Sequence, residues 1–453
     1  MALRLTVIRG PAGGLAHTIT GPGTALVGRS SRAQFQFPSG PAGDLWVSHA
    51  HALVEYNPPV CRVYDLNSNN GTYVNGVRVN ASDLKPGDVV KIGHSFIRVS
   101  TDVLPETVDA RPESAGGTFD APTVPPARVP SPAPKSVGKP TGRRAANSCP
   151  GCRRAAPGPG QTVCPSCHKI AASLPQTVPG YLLLRLRGRG GMGEVYKAVR
   201  EADGRLVALK MVVPAAVANP SQLELKKFLR EADILRRLHH PNIVSFQDLG
   251  AAGRTLFLAM DYVRGQDVGE ILKRVGPFPQ RTAVRVIAQV LLALDYAHAK
   301  GFVHRDVKPS NVMLKAAGKG RRTVKVTDFG LARVYHESQK SGLTLEEEVG
   351  GTAAYLPPEQ IVAFRRAQPP ADQYSTAATL YNLLTDRYVY DFRTPFSAAL
   401  SQILDEDPVP IRDRRADVPE GLARAVHRAL SRDPRDRFPT AGEFRKALLP
   451  FAG

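Results

Sequence analysis

Two kinds of hydrophobic pattern divide this chain. Over residues 1–103, short apolar runs alternate with polar positions, as in LRLTVIRG, HALVEY, CRVYDL and SFIRVS, with Gly, Pro and Asn between them. A period of two broken by turn residues predicts an all-β unit. Over 180–447 the pattern is mixed: the extended runs EVYKAVR and LVALK precede helical periods in FLREADILRRLHHPNIV, AVRVIAQVLLALDYAHAKG and QYSTAATLYNLL. That mixture predicts a large α+β unit. Residues 104–147 are rich in Pro, Ala, Thr and Ser, hold too few apolar residues to build a core, and read as a disordered, stiffened linker. Paired cysteines mark 148–170, and 171–179 form a short second linker. A multidomain chain is expected of 453 residues.

The α+β unit carries the densest chemistry. Gly188, Gly190 and Gly193 punctuate GRGGMGEV between two extended runs, where backbone without side chains can approach phosphates. Arg189, Gly191 and Met192 complete that loop, and Val195 and Ala208 follow on the strands. Lys210 ends LVALK, so a cation on a rigid element can reach α- and β-phosphates, and the helical period places Glu231 where it can pair with Lys210. Downstream, HRDVKPSN follows a long amphipathic helix. Asp306 is placed to take or orient a hydroxyl proton, and Lys308 to neutralise a moving phosphoryl group. Asn311 and Asp328 offer the hard oxygens that Mg²⁺ prefers.

With DFG and PPE in the same order, residues 180–447 resemble a bacterial eukaryotic-like (Hanks-type) serine/threonine protein kinase. The resemblance implies a bilobal fold, an ATP and Mg²⁺ requirement, and transfer to Ser or Thr. It makes Met260 the gatekeeper, Asp261 to Val263 the adenine-contacting hinge, and Leu235, His304, Phe329 and Asp372 parts of an internal spine. Glu359 is expected to pair with Arg437. Arg305 is expected to receive an activation-segment phosphate, with Thr344 the first candidate acceptor. Two departures, Pro357 in the usual alanine position and Ala377 in a frequent glycine position, leave the chemistry untouched.

In the all-β unit, VGRS, VSHAHALV and DLNSNNGTYVNGVRV resemble a forkhead-associated (FHA) domain, a β-sandwich whose loops read phosphothreonine. The resemblance implies that Arg29, Ser48, Asn69 and Asn70 contact the phosphopeptide, with His49 replacing the family's usual arginine and His51 and Gly71 supporting the loops. Thr118 and Thr123 in the linker are candidate autophosphorylation sites that the FHA unit could bind in cis or in trans.

Cys149, Cys152, Cys164 and Cys167 form two CxxC pairs eleven residues apart. That spacing suits tetrahedral thiolate binding of a structural Zn²⁺ and resembles a zinc ribbon; disulfides are the alternative, disfavoured where ATP is used and thiols stay reduced. Cys61 lies on an expected strand and reads as a buried apolar residue.

The net charge of +20 is spread through all segments, so nucleic-acid binding is not indicated. No stretch approaches a membrane span and no signal peptide is evident, so a cytoplasmic protein without membrane contact is expected. Its expected partners are protein substrates and phosphothreonine-bearing proteins or its own phosphorylated segments, and autophosphorylation is compatible with transient dimers. The leading reading is a kinase with FHA-guided docking. The alternative is a non-catalytic phosphothreonine adaptor whose kinase fold is a nucleotide-gated scaffold.

Overall fold

The computed structural model describes residues 2–38, 43–66, 68–102, 148–158, 160–190, 193–212, 234–252, 255–316, 322–329, 353–363, 367–393 and 396–453. Of the residues singled out above, Gly191, Met192, Glu231, Thr118, Thr123, Thr344 and the 104–147 linker lie outside them.

The N-terminal unit is a sandwich of eleven strands among the described residues. These are β1 (Ala2–Arg9), β2 (Ala16–Thr20), β3 (Gly23–Gly28), β4 (Phe35–Gln36), β5 (Ala52–Asn57), β6 (Val60–Asp65), β7 (Thr72–Val74), β8 (Val77–Val79), β9 (Ala81–Leu84), β10 (Val89–Ile92) and β11 (Ser95–Asp102). One sheet runs β2-β1-β11-β10-β7-β8 and the other β4-β3-β5-β6-β9. The alternation seen in LRLTVIR sends Leu3, Leu5 and Val7 inward while Arg4 stays exposed. Cys61 is buried in the same core, as its strand position predicts.

A second sheet-built layer follows the short helix α1 (Pro165–Ala172). Strands β12 (Tyr181–Gly190), β13 (Gly193–Arg200), β14 (Arg205–Val212), β15 (Phe246–Ala252) and β16 (Thr255–Asp261) form an antiparallel sheet in the order β12-β13-β14-β16-β15. Below it lies a helical body with a small sheet of β17 (Gly265–Asp267), β18 (Val312–Ala316) and β19 (Arg322–Val326). Its central helices are α2 (Val268–Val275), α3 (Gln280–Ala299), α4 (Pro358–Ala363), α5 (Pro369–Thr385), α6 (Phe396–Asp405), α7 (Ile411–Arg414), α8 (Glu420–Ala429) and α9 (Ala441–Leu448).

Local chemistry starts and stops these helices. Asp267 caps α2 by accepting from the Glu270 N–H at 2.8 Å, and Gly276 ends it at φ 77°. Thr440 and Glu443 set the start of α9, with the Thr440 hydroxyl accepting from the Glu443 N–H. The buried faces of α3 and α5 meet in the main core, where Ala377 is fully enclosed.

The sandwich and the helical body also touch. The Thr24 hydroxyl on β3 donates to the carbonyls of Ile361 (3.2 Å) and Val362 (3.0 Å) in α4. Leu26, Leu53, Tyr64 and Leu66 join the same apolar cluster as the helical core.

Candidate active site and the sites beside it

Strand register builds one wall of the cleft between sheet and helical body. Val195 on β13 lies opposite Lys210 on β14, and Ala208 lies opposite Met260 on β16. Opposed residues share a face, and so do positions two apart, so these four side chains point the same way. The resulting cleft of about 230 Å³ is lined by Gly188, Val195, Ala208, Met260 to Val263, Met313 and Asp328.

The opposite wall is the loop from His304 to Asn311. Lys308 Nζ is 3.0 Å from Asp306 Oδ1. The Asn311 amide donates to the Asp306 carbonyl (2.7 Å) and to its Oδ2 (3.0 Å). That use of the amide nitrogen leaves the Asn311 carboxamide oxygen available as a hard ligand. Across the cleft, Lys210 donates to Asp328 Oδ1 at 3.1 Å. Glu231, expected to hold Lys210, lies outside the described residues.

Asp372, fully buried on α5, organises the loop from below. It accepts from the backbone N–H groups of His304 and Arg305 (both 2.8 Å) and from His298 Nε2 (2.8 Å). Burial alone would push its carboxyl up, but His298 and these donors hold it below the usual range. His304 in turn donates to the Thr327 carbonyl at 2.8 Å and packs on Phe329 with ring centroids 4.5 Å apart. Arg305 and Asp328 both sit in the left-handed region, at φ 68° and 59°, uncommon for side-chain-bearing residues and concentrated where a site fixes backbone direction. The role of His298 had no signal in the sequence.

Glu359 and Arg437 meet as a bidentate pair at 2.6 and 2.8 Å, with the Arg437 side chain wholly buried. The guanidinium also donates to the carbonyls of Pro370 and Ser431 (both 2.8 Å) and lies over Tyr374.

A protein kinase domain model matches residues 181–447. The chain belongs to the protein kinase family. An FHA domain model matches residues 25–93 of this kinase. It is 36% identical over 272 residues to the serine/threonine-protein kinase pkn3 of Myxococcus xanthus, a match covering 59% of this chain and 49% of that one. It is 35% identical over 284 residues to PknJ of Mycobacterium tuberculosis, covering 62% and 46%. The kinase thus spans less than half the length of these curated relatives. The solved kinase domain of Mycobacterium tuberculosis PknI is 30% identical, covers 62% of this chain and all of that one, and superposes with a TM-score of 0.48.

In the FHA unit the expected residues gather on neighbouring loops. Arg29 Nε donates to the Val47 carbonyl at 2.5 Å, Asn70 donates to the Trp46 carbonyl at 2.6 Å, and Ser48 Oγ accepts from the Asn69 N–H at 3.1 Å. His49 is exposed beside them. Buried His51 accepts from the Ser48 N–H through Nδ1 (3.0 Å) and faces the Gly71 carbonyl through Nε2 (3.3 Å), so Nε2 carries the proton. Gly28 must lack a side chain, because a Cβ there would collide with the His49 carbonyl.

The four cysteines of 149–167 converge with every Sγ within 4.8 Å of the others, and none is bonded to another. Cys152 and Cys164 sulfurs lie 3.6 Å apart, close to the ~3.8 Å edge of a tetrahedron with metal–sulfur bonds of about 2.3 Å. The Arg154 N–H pointing at Cys152 Sγ brings that thiol down to about 6, favouring thiolate. The cluster is packed on the kinase sheet. Leu184 and Val199 share its apolar core, Lys197 Nζ donates to the Gly151 carbonyl at 2.5 Å, and Arg264 to the Pro150 carbonyl at 2.9 Å. Nothing in the sequence signalled this docking. Among the described residues no helix is long and apolar enough to cross a membrane.

Proposed function

We propose that this kinase transfers the γ-phosphoryl group of ATP to Ser and Thr hydroxyls of proteins, itself included, and that its FHA unit docks phosphothreonine-bearing partners. The observation that carries the reading is the assembly of Asp306, Lys308, Asn311 and Asp328 on the lower side of a cleft whose upper side presents Lys210, which reaches Asp328 across it. Asn311 and Asp328 would hold Mg²⁺, consistent with their hard oxygens, and Lys210 would hold the α- and β-phosphates. Bound ATP supplies the transferable group and Mg²⁺ neutralises its oxygens.

The chain's own residues do the rest. The Asp306 carboxylate, tethered by Asn311, orients the incoming hydroxyl and takes its proton. Lys308, already beside Asp306, neutralises charge on the moving group. Positioning and charge stabilisation suffice, because phosphoryl transfer asks for little covalent chemistry from the protein. The glycine loop would cover the phosphates, and the Asp261 to Val263 segment would contact adenine. Thr344 is the proposed activating phosphosite, with Arg305 as its receiver.

The cysteine cluster is proposed to hold one structural Zn²⁺ as a ribbon, supported by its sulfur spacing. The proposed setting is the cytoplasm, with protein partners.

The deciding experiment is phosphate transfer from labelled ATP with Mg²⁺ by the full chain and by Asp306→Asn, with modified residues mapped by mass spectrometry. Incorporation confined to the unsubstituted chain supports the kinase. Equal incorporation, or ATP binding with no transfer to self or to a generic substrate, moves the reading to the adaptor.

A further inference from the structure

A second cleft, larger than the nucleotide site, lies outside it. It has a volume of about 830 Å³ and runs between the cysteine knuckle at 148–153 and the outer side of the Asp261 to Arg264 segment. Its lining includes Arg153, Arg264, Lys315 and Lys325, with the hydroxyl-bearing Ser148 and Thr162 beside them.

The charge there is positive in excess, even with Cys149 of the cysteine cluster among the lining residues and able to offset part of it as a metal-bound thiolate. Two acids also line the cleft, and both are engaged: Asp203 by a two-toothed bridge to Arg200, and Asp261 by Arg205 at 3.0 Å and Gln247 at 2.9 Å. The four cations have no carboxylate bridge among the described residues. Among the described residues Arg264 donates to the Pro150 carbonyl and Lys325 to that of Ile243. Arg264 and Lys325 are half-buried while Arg153 and Lys315 are exposed, and holding the like charges together costs free energy that an anion would return. Burial and then the neighbouring guanidinium of Arg153 pull Arg264 down; burial pulls Lys325 down against the opposing Asp261 carboxylate, with a smaller contribution from Lys315.

We propose that this cleft is a binding site for a small phosphate-bearing molecule of nucleotide size. Guanidinium groups match phosphate oxygens in forked pairs, lysines add point charge, and hydroxyls complete the shell. A volume of this order suits a ligand of a few hundred daltons. Asp261 to Val263 border both this cleft and the nucleotide cleft, so an occupant would lie just across the connecting segment from ATP.

The test is isothermal titration of the full chain with pyrophosphate and with AMP. The nucleotide cleft is first filled with a phosphate-free ATP-competitive inhibitor, so that no other phosphate group competes for the proposed cleft, and Arg29→Ala removes the FHA anion site. Saturable binding is expected, weakened at least about fivefold by Arg153→Gln and again by Lys315→Gln, since a charge-assisted hydrogen bond is worth roughly that or more. Zinc content, thermal midpoint and inhibitor affinity should stay unchanged in both variants. Binding that survives in the double variant overturns the proposal, as does the lack of saturation below about 10 mM, an affinity too weak for a built site. Binding of pyrophosphate alone assigns the cleft to free polyphosphate; binding of AMP as well assigns it to nucleotides.

Discussion

Lys210 Nζ lies 3.1 Å from Asp328 Oδ1, joining the upper sheet to the segment after β19 across 118 residues of chain. The lysine is nearly enclosed, with 6% of its side chain exposed, while Asp328 opens toward the cleft. A cation so placed can serve the carboxylate and a phosphate in turn. Lys210→Met should lower phosphate transfer at saturating ATP by at least about 100-fold, the scale set by losing one preorganised electrostatic donor. A labelled-ATP assay reads this, and unchanged transfer would remove Lys210 from the machinery.

Arg437 has no water to fall back on. Its guanidinium is buried against Glu359, three backbone carbonyls and the Tyr374 ring. Removing one partner strands the other, so Glu359→Ala should cost about 3–5 kcal/mol of kinase-unit stability. Replacing both should cost less than the sum of the single changes. Urea midpoints across the double-mutant cycle measure the coupling.

The cysteine knuckle packs on Leu184 and Val199 and leaves no room at Gly151, where a Cβ would stand 2.9 Å from Leu184 and 3.0 Å from the Cys167 sulfur. Metal loss should therefore be felt in the kinase sheet as well as locally. Elemental analysis should find one zinc per chain, and Cys164→Ser should lose it and lower the thermal midpoint by several degrees. A metal-free chain with an unchanged melt would end the ribbon assignment.

His51 gives the FHA unit a pH dependence. Burial pulls its imidazole below the ordinary 6.5, only partly offset by the Gly71 carbonyl. The unfolded chain then binds a proton more readily than the folded one. Stability should hold above about pH 6.5 and fall as pH drops through that value toward the folded pKa, with a slope of at most about 1.4 kcal/mol per pH unit from this residue. Thermal midpoints between pH 5 and 8 should lose this component in His51→Gln.

Phosphopeptide binding by the FHA unit should depend on Arg29 and Ser48. Ser48 is tied to Asn69 and, through its N–H, to His51, so Ser48→Ala should loosen the loop and weaken binding about tenfold. Arg29→Ala should abolish it. Fluorescence anisotropy with a phosphothreonine peptide, against its unphosphorylated form, decides the matter.

Much of this protein was legible because its signals are local. The alternation of LRLTVIR foretold an inward row of Leu3, Leu5 and Val7, and the HRDVKPSN loop keeps Asp306, Lys308 and Asn311 within six residues, so their meeting needed little from the rest of the fold. The pairing of Glu359 with Arg437 was legible only through family resemblance. Other features depend on surfaces that segments far apart in sequence present to one another. Thr24 bonding to α4, Lys197 and Arg264 holding the cysteine knuckle, and His298 reaching Asp372 have no pattern in the chain, because any polar residue at those positions reads as a solvated one. Periodicity and turn chemistry are properties of neighbouring residues, so the sequence alone determined the elements and the chemical groups they carry. Which groups face each other, and which cleft collects an excess of positive charge, was decided only when burial of apolar surface brought those elements together.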